Sequence, residues 1–422
     1  MTKVARPVTT RYTPSGVKKS PCIERGIREP GPAGLPRRAV APAGPAIVAA
    51  VEQVEVAVVG AGLLGSATAR ALAARGVPAL LFEQFALGHA RGSSHGATRL
   101  FRYSYPDPCY VEMAVRAGEA WERLTADAGE ELLVRTGGLD AGPGAEDCAK
   151  ALAECGVAHT WLSDAEVQAR FPGIRARPGE RMLFQPDSGV SLAGRTVAAL
   201  QRLARRDGAA IRAMTPVLGI EAGHDRVLLR TAAGEVAARA AVITAGPWAQ
   251  GVLAGALPQA PPLTVTVQQV RYFAPRDPAT AWPTLIEWRP EGLVWYAVPA
   301  AGDAPGVKVA AHITGPAVDP RTGPFTEIDP ALEEGAAGYV HDRLPGLDPA
   351  GLGAETCLYT MTPDEDFVLD RAGPLVVGGG CSGHAFKFGP LLGEFLADLA
   401  LGQDIPVPRE RFALRRPSLA AS

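Results

Sequence analysis

The sequence predicts an α/β protein in which a Rossmann-like, dinucleotide-binding domain is interrupted by an inserted, largely antiparallel β-sheet domain. Three observations predict it: a glycine loop between an apolar strand and an Ala-rich helix, two later apolar runs that end in small residues or glycines, and a middle region of alternating, aromatic-rich stretches. The run Val54–Val59 is apolar and β-rich, as in a parallel strand buried on both faces. Gly60, Gly62 and Gly65 then form GxGxxG, and Ser66–Arg75 continues as a helix that Gly76 ends. The first glycine permits a tight turn, the second lets a pyrophosphate approach backbone N–H groups, and the third lets helix pack on strand. A second strand, Pro78–Phe82, ends at Glu83, about twenty residues beyond the first glycine, where an acid accepts hydrogen bonds from a ribose hydroxyl pair. Glycine clusters are common in loops, so the weight rests on strand, loop, helix, strand and acid occurring in register. The motif alone leaves the choice between NAD and FAD open.

Ala240–Trp248 and Leu375–Gly380 read as further buried strands that bring small residues close to a cofactor, or as ordinary sheet strands. Val265–Phe273, Leu293–Val298 and Val307–Ile313 alternate, as antiparallel strands with one covered face do. The predicted division is therefore discontinuous. Residues 54–135, 186–260 and 355–403 form the dinucleotide-binding domain, and 136–185 with 261–354 form the substrate domain. Residues 1–53 are an extension rich in Pro, Gly and Arg, without periodicity, expected to be disordered.

Composition narrows the function classes. A net charge of −2 provides no global field for nucleic acid or an anionic membrane. Six cysteines without a CxxC pair indicate neither a disulfide scaffold nor a zinc site, so no metal is expected. No apolar run reaches the length of a membrane span, and a cytoplasmic location is the expectation.

Two polar blocks carry a more specific signal than the glycine loop. One is Gly92-Ser-Ser-His-Gly-Ala-Thr-Arg-Leu-Phe-Arg102; the other is Cys357-Leu-Tyr-Thr-Met-Thr-Pro-Asp-Glu-Asp-Phe367, followed by Gly380-Cys-Ser-Gly-His-Ala-Phe-Lys-Phe388. From about Val54 to Leu401 the chain resembles the monomeric sarcosine oxidase and N-methyltryptophan oxidase group of the D-amino-acid-oxidase-like flavoproteins. The resemblance implies FAD as cofactor, with Gly60, Gly62, Gly65, Glu83 and Gly383 among the residues around it and Cys357 joined to the flavin ring by a thioether. It places Arg102 and Lys387 on the substrate carboxylate, where an Arg fork and a Lys point charge complement each other. It places Arg99 and His95 beside the flavin, with His95 either catalytic or holding its loop through a backbone hydrogen bond. It associates Lys308 with oxygen reduction, through stabilisation of the charge that forms on oxygen. His312 and His384 are candidates for the substrate side. Tyr296 and Trp295 supply aromatic walls or core packing, and Trp282, Trp288 and Trp295 either narrow the pocket or fill the core.

The activity implied is oxidation of the C–N bond of a small secondary-amine amino acid to an imine, with molecular oxygen reduced to hydrogen peroxide by a monomeric enzyme. Oxidation of a cyclic imino acid and a dehydrogenase with another electron acceptor are the alternatives. A flavin-binding scaffold without turnover does not require cations gathered at a redox ring.

Overall fold

The computed structural model describes residues 51–257, 259–290, 292–313 and 315–419. The expectation for the N-terminal extension lies, up to residue 50, outside the described residues. Its boundary moves slightly, because the first strand already begins at Glu52.

The glycine loop follows that strand, Glu52–Val59, which sits inside an eight-stranded sheet. Its neighbours Ala79–Phe82 and Gly234–Ile243 both run parallel to it, and Ala210–Arg212 continues the parallel order beyond Ala79–Phe82. The strand Gly234–Ile243 divides its other edge. Its first half pairs antiparallel with Val227–Thr231, whereas Ala241–Ile243 pair parallel with Leu375–Val377. Two strand ends rich in small residues, at Thr244 and Gly379, are thereby brought to the loop end of the sheet. The helix Leu63–Ala74 is buried almost all round, because it lies against both Gly389–Ala400 and Ala193–Arg206. Its Ala-rich composition permits this: at Gly393 an added Cβ would come 2.4 Å from Ala67 Cβ.

The second eight-stranded sheet runs Gly353–Met361, Thr264–Phe273, Val307–His312, Val294–Val298, Thr284–Trp288, Gly138–Ala141, Arg181–Gln185 and Thr160–Ser163. Every pairing is antiparallel except that of Thr284–Trp288 with Gly138–Ala141. The alternating stretches thus fold as their periodicity predicts. One boundary is corrected. The sequence division assigned residues from 355 onward to the dinucleotide-binding domain, but Gly353–Met361 pairs along its whole length with Thr264–Phe273 in the second sheet.

Alternation also sorts the two faces of this sheet. Leu285, Ala297, Val307, Val309 and Phe273 point into a core shared with the helix Pro330–Arg343. Ile286, Tyr296, Lys308, His312, Tyr272 and Cys357 point the other way, into a cleft. A small three-stranded sheet of Thr98–Phe101, Gly189–Leu192 and Leu133–Arg135 carries Arg99 to that cleft. Among the described residues no helix is long and apolar enough to cross a membrane, and no group of three or more His, Cys, Asp or Glu side chains is placed to hold a metal ion.

Candidate active site

The cleft has a volume of about 1200 Å³ and runs from the glycine loop to the inner face of the second sheet. At its dinucleotide end Gly60 adopts φ +101° and donates its N–H to Phe82 O at 2.8 Å. A side chain there would strike Thr244 O at 2.6 Å, and one at Gly65 would strike Gly60 O at 1.9 Å. Gly65 therefore serves close helix–strand packing behind the loop. Gly60, Gly62 and Glu83 line the cleft itself. Glu83 buttresses the loop, accepting from Ala61 N–H and Phe85 N–H at 2.9 Å each. Burial raises its pKa, but His89 and these two amides outweigh burial and hold the carboxyl below the usual range. The carboxylate that the sequence assigns to a ribose hydroxyl pair thus lies in the cleft wall, at the loop.

Further along, Arg99 is fixed by three backbone carbonyls: Thr98 O at 2.9 Å, Ser93 O at 3.0 Å and His95 O at 2.6 Å. His95 has its Nδ1 at 2.9 Å from Gly92 O and its Nε2 at 3.0 Å from Thr356 O. Both ring nitrogens face backbone, so the contacts supply the loop-holding role among the two the sequence left open. Lys308 is buried and donates to Thr98 O. Burial and the neighbouring Arg99 push its pKa down to about 7. Cys357 lies in the same stretch of wall, in register with Gln268. Burial raises its thiol pKa, while Arg99 and Lys308 pull the other way. Gly383 also lines the cleft, and a Cβ there would overlap the Tyr359 ring at 2.3 Å.

At the remaining end Arg102 lies with its guanidinium carbon 4.4 Å from the Tyr105 ring centre and 5.7 Å from that of Trp288. Its Nη1 is buried without a hydrogen-bond partner. Lys387 is buried too and donates to Tyr105 Oη at 2.8 Å and His384 O at 2.7 Å. His384 Nε2 faces Glu365 O at 3.1 Å and its Nδ1 faces Tyr105 Oη at 3.2 Å. A carbonyl only accepts, so the network assigns the proton to Nε2 and leaves Nδ1 to accept from the tyrosine. Burial and Lys387 lower the His384 pKa to about 3. His312 is likewise lowered, by burial and then by Arg102 and Lys387. Both imidazoles are neutral, and Lys387 itself is pushed well below the usual lysine range by burial and Arg102.

The structure thus brings every sequence-predicted site residue to one cleft, with Gly65 immediately beneath it. The aromatic alternatives separate by face. Tyr296 and Trp288 line the cleft, whereas Trp295 stacks on Tyr339 at 4.5 Å on the far side of the sheet. Trp282 is buried in the core against Gly173. Sequence reasoning missed Tyr105, Asp140 and Glu355. Asp140 is buried beside Arg102, and Glu355 accepts from Tyr272 Oη at 2.9 Å within the cleft wall. The available signal for Asp140 was an acid inside the otherwise apolar strand Gly138–Ala141.

Comparison with known proteins follows the same lines. The family described as FAD dependent oxidoreductase matches residues 55–399. The chain is 35% identical to the monomeric sarcosine oxidase of Streptomyces avermitilis, covering 87% of this chain and 98% of that protein. It is 31% identical to the N-methyl-L-tryptophan oxidase of Citrobacter koseri, over 86% of this chain and 98% of that one. Among solved structures it is similar to NikD, an unusual amino acid oxidase essential for nikkomycin biosynthesis, with a TM-score of 0.77 and 27% identity over 87% of this chain and 98% of that chain. Matched by this family across both polar blocks and the glycine loop, the chain belongs to the FAD-dependent oxidoreductases.

Proposed function

We propose that the protein oxidises the C–N bond of a small secondary-amine amino acid, of the N-methyl type, to an imine, with O2 reduced to H2O2. Water then converts the imine to an aldehyde and a primary amine. The observation that carries this reading is a pair of cations, buried Lys387 and partly buried Arg102, set among aromatic rings with the buried Arg102 Nη1 unpartnered. A buried N–H without a partner is costly unless a ligand supplies one. A carboxylate supplies acceptors for both cations. The sarcosine oxidase and N-methyl-L-tryptophan oxidase relatives support the same substrate class.

The residues present fit FAD. Gly60, Gly62 and the start of Leu63–Ala74 would cradle its pyrophosphate, Glu83 would take the ribose hydroxyls, and Cys357, in the cleft wall, would form the thioether. When bound, FAD supplies the two-electron chemistry, and the protein supplies orientation and charge. Arg102 and Lys387 hold the substrate carboxylate and so fix the adjacent C–N bond. Trp288, Tyr105, Tyr359 and His312 exclude water around it. The cations Arg102 and Lys387 disfavour an ammonium beside them, so the amine reacts unprotonated and reduction of the cofactor by substrate quickens as pH rises toward the amine pKa. Arg99 and Lys308 keep positive charge near Cys357, on the side assigned to oxygen. We place the enzyme in the cytoplasm as a monomer, which size-exclusion chromatography checks, and retain a discontinuous FAD-binding domain with an inserted substrate domain.

A panel of N-methyl and cyclic amino acids with peroxide detection tests the proposal. Turnover of N-methyl amino acids with one H2O2 per substrate is expected. Turnover of cyclic imino acids alone supports that second substrate class, and turnover only with an artificial electron acceptor supports a dehydrogenase. Acid-precipitated protein is expected to stay yellow, with a Cys357 peptide carrying the FAD mass. Flavin released to the supernatant rules out the covalent bond, and Cys357→Ser should bind FAD noncovalently. Arg102→Ala and Lys387→Ala should each weaken a carboxylate inhibitor roughly ten-fold to a hundred-fold, the scale of a charge-assisted hydrogen bond. Unchanged affinity in both removes the clamp.

A further inference from the structure

Lys387 is buried and Arg102, its neighbour of like sign, is partly buried; among the described residues one carboxylate lies directly against Arg102. Lys387 donates to neutral groups, the Tyr105 hydroxyl and the His384 carbonyl; His312, His384 and the Cys148 thiol lie nearby, and Tyr110 stacks on Tyr105 and donates to Asp366. The carboxylate is Asp140, which is 3% exposed and whose Oδ1 lies 3.6 Å from Arg102 Nη1. Its contacts are ones an ionised carboxylate satisfies. Ser104 Oγ donates to Oδ2 at 2.6 Å and Trp288 Nε1 donates to Oδ1 at 3.5 Å, so donors face both oxygens. An acceptor on each oxygen is what an ionised carboxylate offers. Burial raises the Asp140 pKa, with Arg102 and Ser104 opposing.

The geometry also separates Asp140 from the ligand. It does not line the cleft, and at 3.6 Å it leaves Arg102 Nη1 without a hydrogen bond, still available to a substrate. We propose that Asp140 is the counter-ion of the carboxylate clamp: it offsets the charge of Arg102 and thereby lets Lys387 carry its proton beside it. This rests on Arg102 and Lys387 binding the substrate carboxylate, as proposed above. Asp140 acts through Arg102 and is a positioning residue in an electrostatic sense.

The consequence is readable as a pH profile. A carboxylate binds best when Lys387 is protonated, so its affinity is constant below the Lys387 pKa of the free site. Above that pKa it falls about ten-fold per pH unit. Removing a negative charge from the vicinity makes Lys387 harder to protonate, which moves this break to lower pH. A charge a few ångströms beyond the directly contacted group changes a pKa in a protein interior by about one unit.

The test is titration of the flavin-loaded enzyme with acetate across pH, followed by flavin absorbance. Asp140→Asn and Asp140→Ser, uncharged replacements of different shape, should both lower the break by about one unit. At a pH above the break that is a loss of about ten-fold in acetate affinity, recovered on acidification. Asp140→Glu, which retains the charge, should stay near wild type. A purely structural role predicts weakened binding that acidification does not restore, and that outcome overturns the proposal. So does an unshifted break in Asn and Ser variants that retain bound flavin. Arg102→Ala in the same titration separates the two levels. If it weakens acetate while the Asp140 variants match wild type, the counter-ion fails and the clamp stands. If Arg102→Ala leaves acetate unchanged, the clamp fails and the counter-ion with it.

Discussion

Lys308→Met is expected to slow reoxidation of the reduced flavin about a hundred-fold to a thousand-fold while leaving anaerobic reduction by substrate close to wild type. The magnitude is that of removing one preorganised electrostatic group from a water-poor site, about 2.7–4 kcal/mol. The separation of half-reactions follows from position. Lys308 sits beside Arg99 and Cys357 and donates to Thr98 O, whereas the carboxylate clamp is built from Arg102 and Lys387. Stopped-flow absorbance measures each half-reaction. Equal slowing of both would assign Lys308 to general site architecture. The sign of the pH dependence also follows. With its pKa pushed down to about 7, Lys308 is an ammonium below that pH and loses its charge above it. Negative charge brought beside it by the reduced cofactor raises that value. The oxygen rate of the wild type should therefore fall with rising pH at or above about pH 7, and the Met variant should lack that step.

Glu287→Ala is expected to cost about 1.5–3 kcal/mol of stability, the range for losing hydrogen bonds to a charged group, because Arg343 keeps Glu180. Glu287 is 1% exposed on the strand Thr284–Trp288. Its Oε1 lies 3.1 Å from Arg289 Nε and 3.3 Å from Arg177 Nη2. Its Oε2 lies 3.1 Å from Arg343 Nε and accepts from Tyr339 Oη at 2.9 Å. Arg343 is itself 1% exposed, and Glu180 would be its remaining carboxylate partner. Urea unfolding followed by far-ultraviolet circular dichroism checks this, and a midpoint within error of wild type would show that the network relaxes or hydrates. Glu287→Gln, which can still accept from Tyr339, should lose less. The same strand presents Ile286 and Trp288 to the cleft, so the alanine variant should also bind carboxylates more weakly.

The dinucleotide half of the molecule was legible because its signals are local. Glycine spacing, the apolar runs on either side and the acid at the end of the second strand all act within about thirty residues of chain, the length of one βαβ unit. Their physical causes, a positive φ at Gly60 and helix–strand contact at Gly65, are properties of backbone without a Cβ. The polar blocks identified Arg99, Arg102, Cys357 and Lys387 as candidates through resemblance, which also picked Lys308 from the stretch Val307–Ile313, and alternation alone predicted the antiparallel strands.

Facing and long-range pairing were decided only by tertiary structure. Trp288 and Trp295 lie on neighbouring strands of similar composition, yet one lines the cleft and the other stacks on Tyr339, because the covered face depends on which helix packs there. A shift of one residue would exchange the faces, and a period-two pattern of apolar residues on both sides does not say which is which. The boundary near residue 355 was displaced for a related reason, since an edge strand is defined by its partner, Thr264–Phe273. Asp140 and Tyr105 joined the site because the fold carries them to Arg102 and Lys387, the latter contact spanning 282 residues of sequence. The sequence by itself thus determined which chemistry-bearing groups are available and where the cofactor loop lies. Only tertiary structure decided which charges share a low-dielectric space, because burial and through-space distance set their pKa values and neither is a property of sequence spacing.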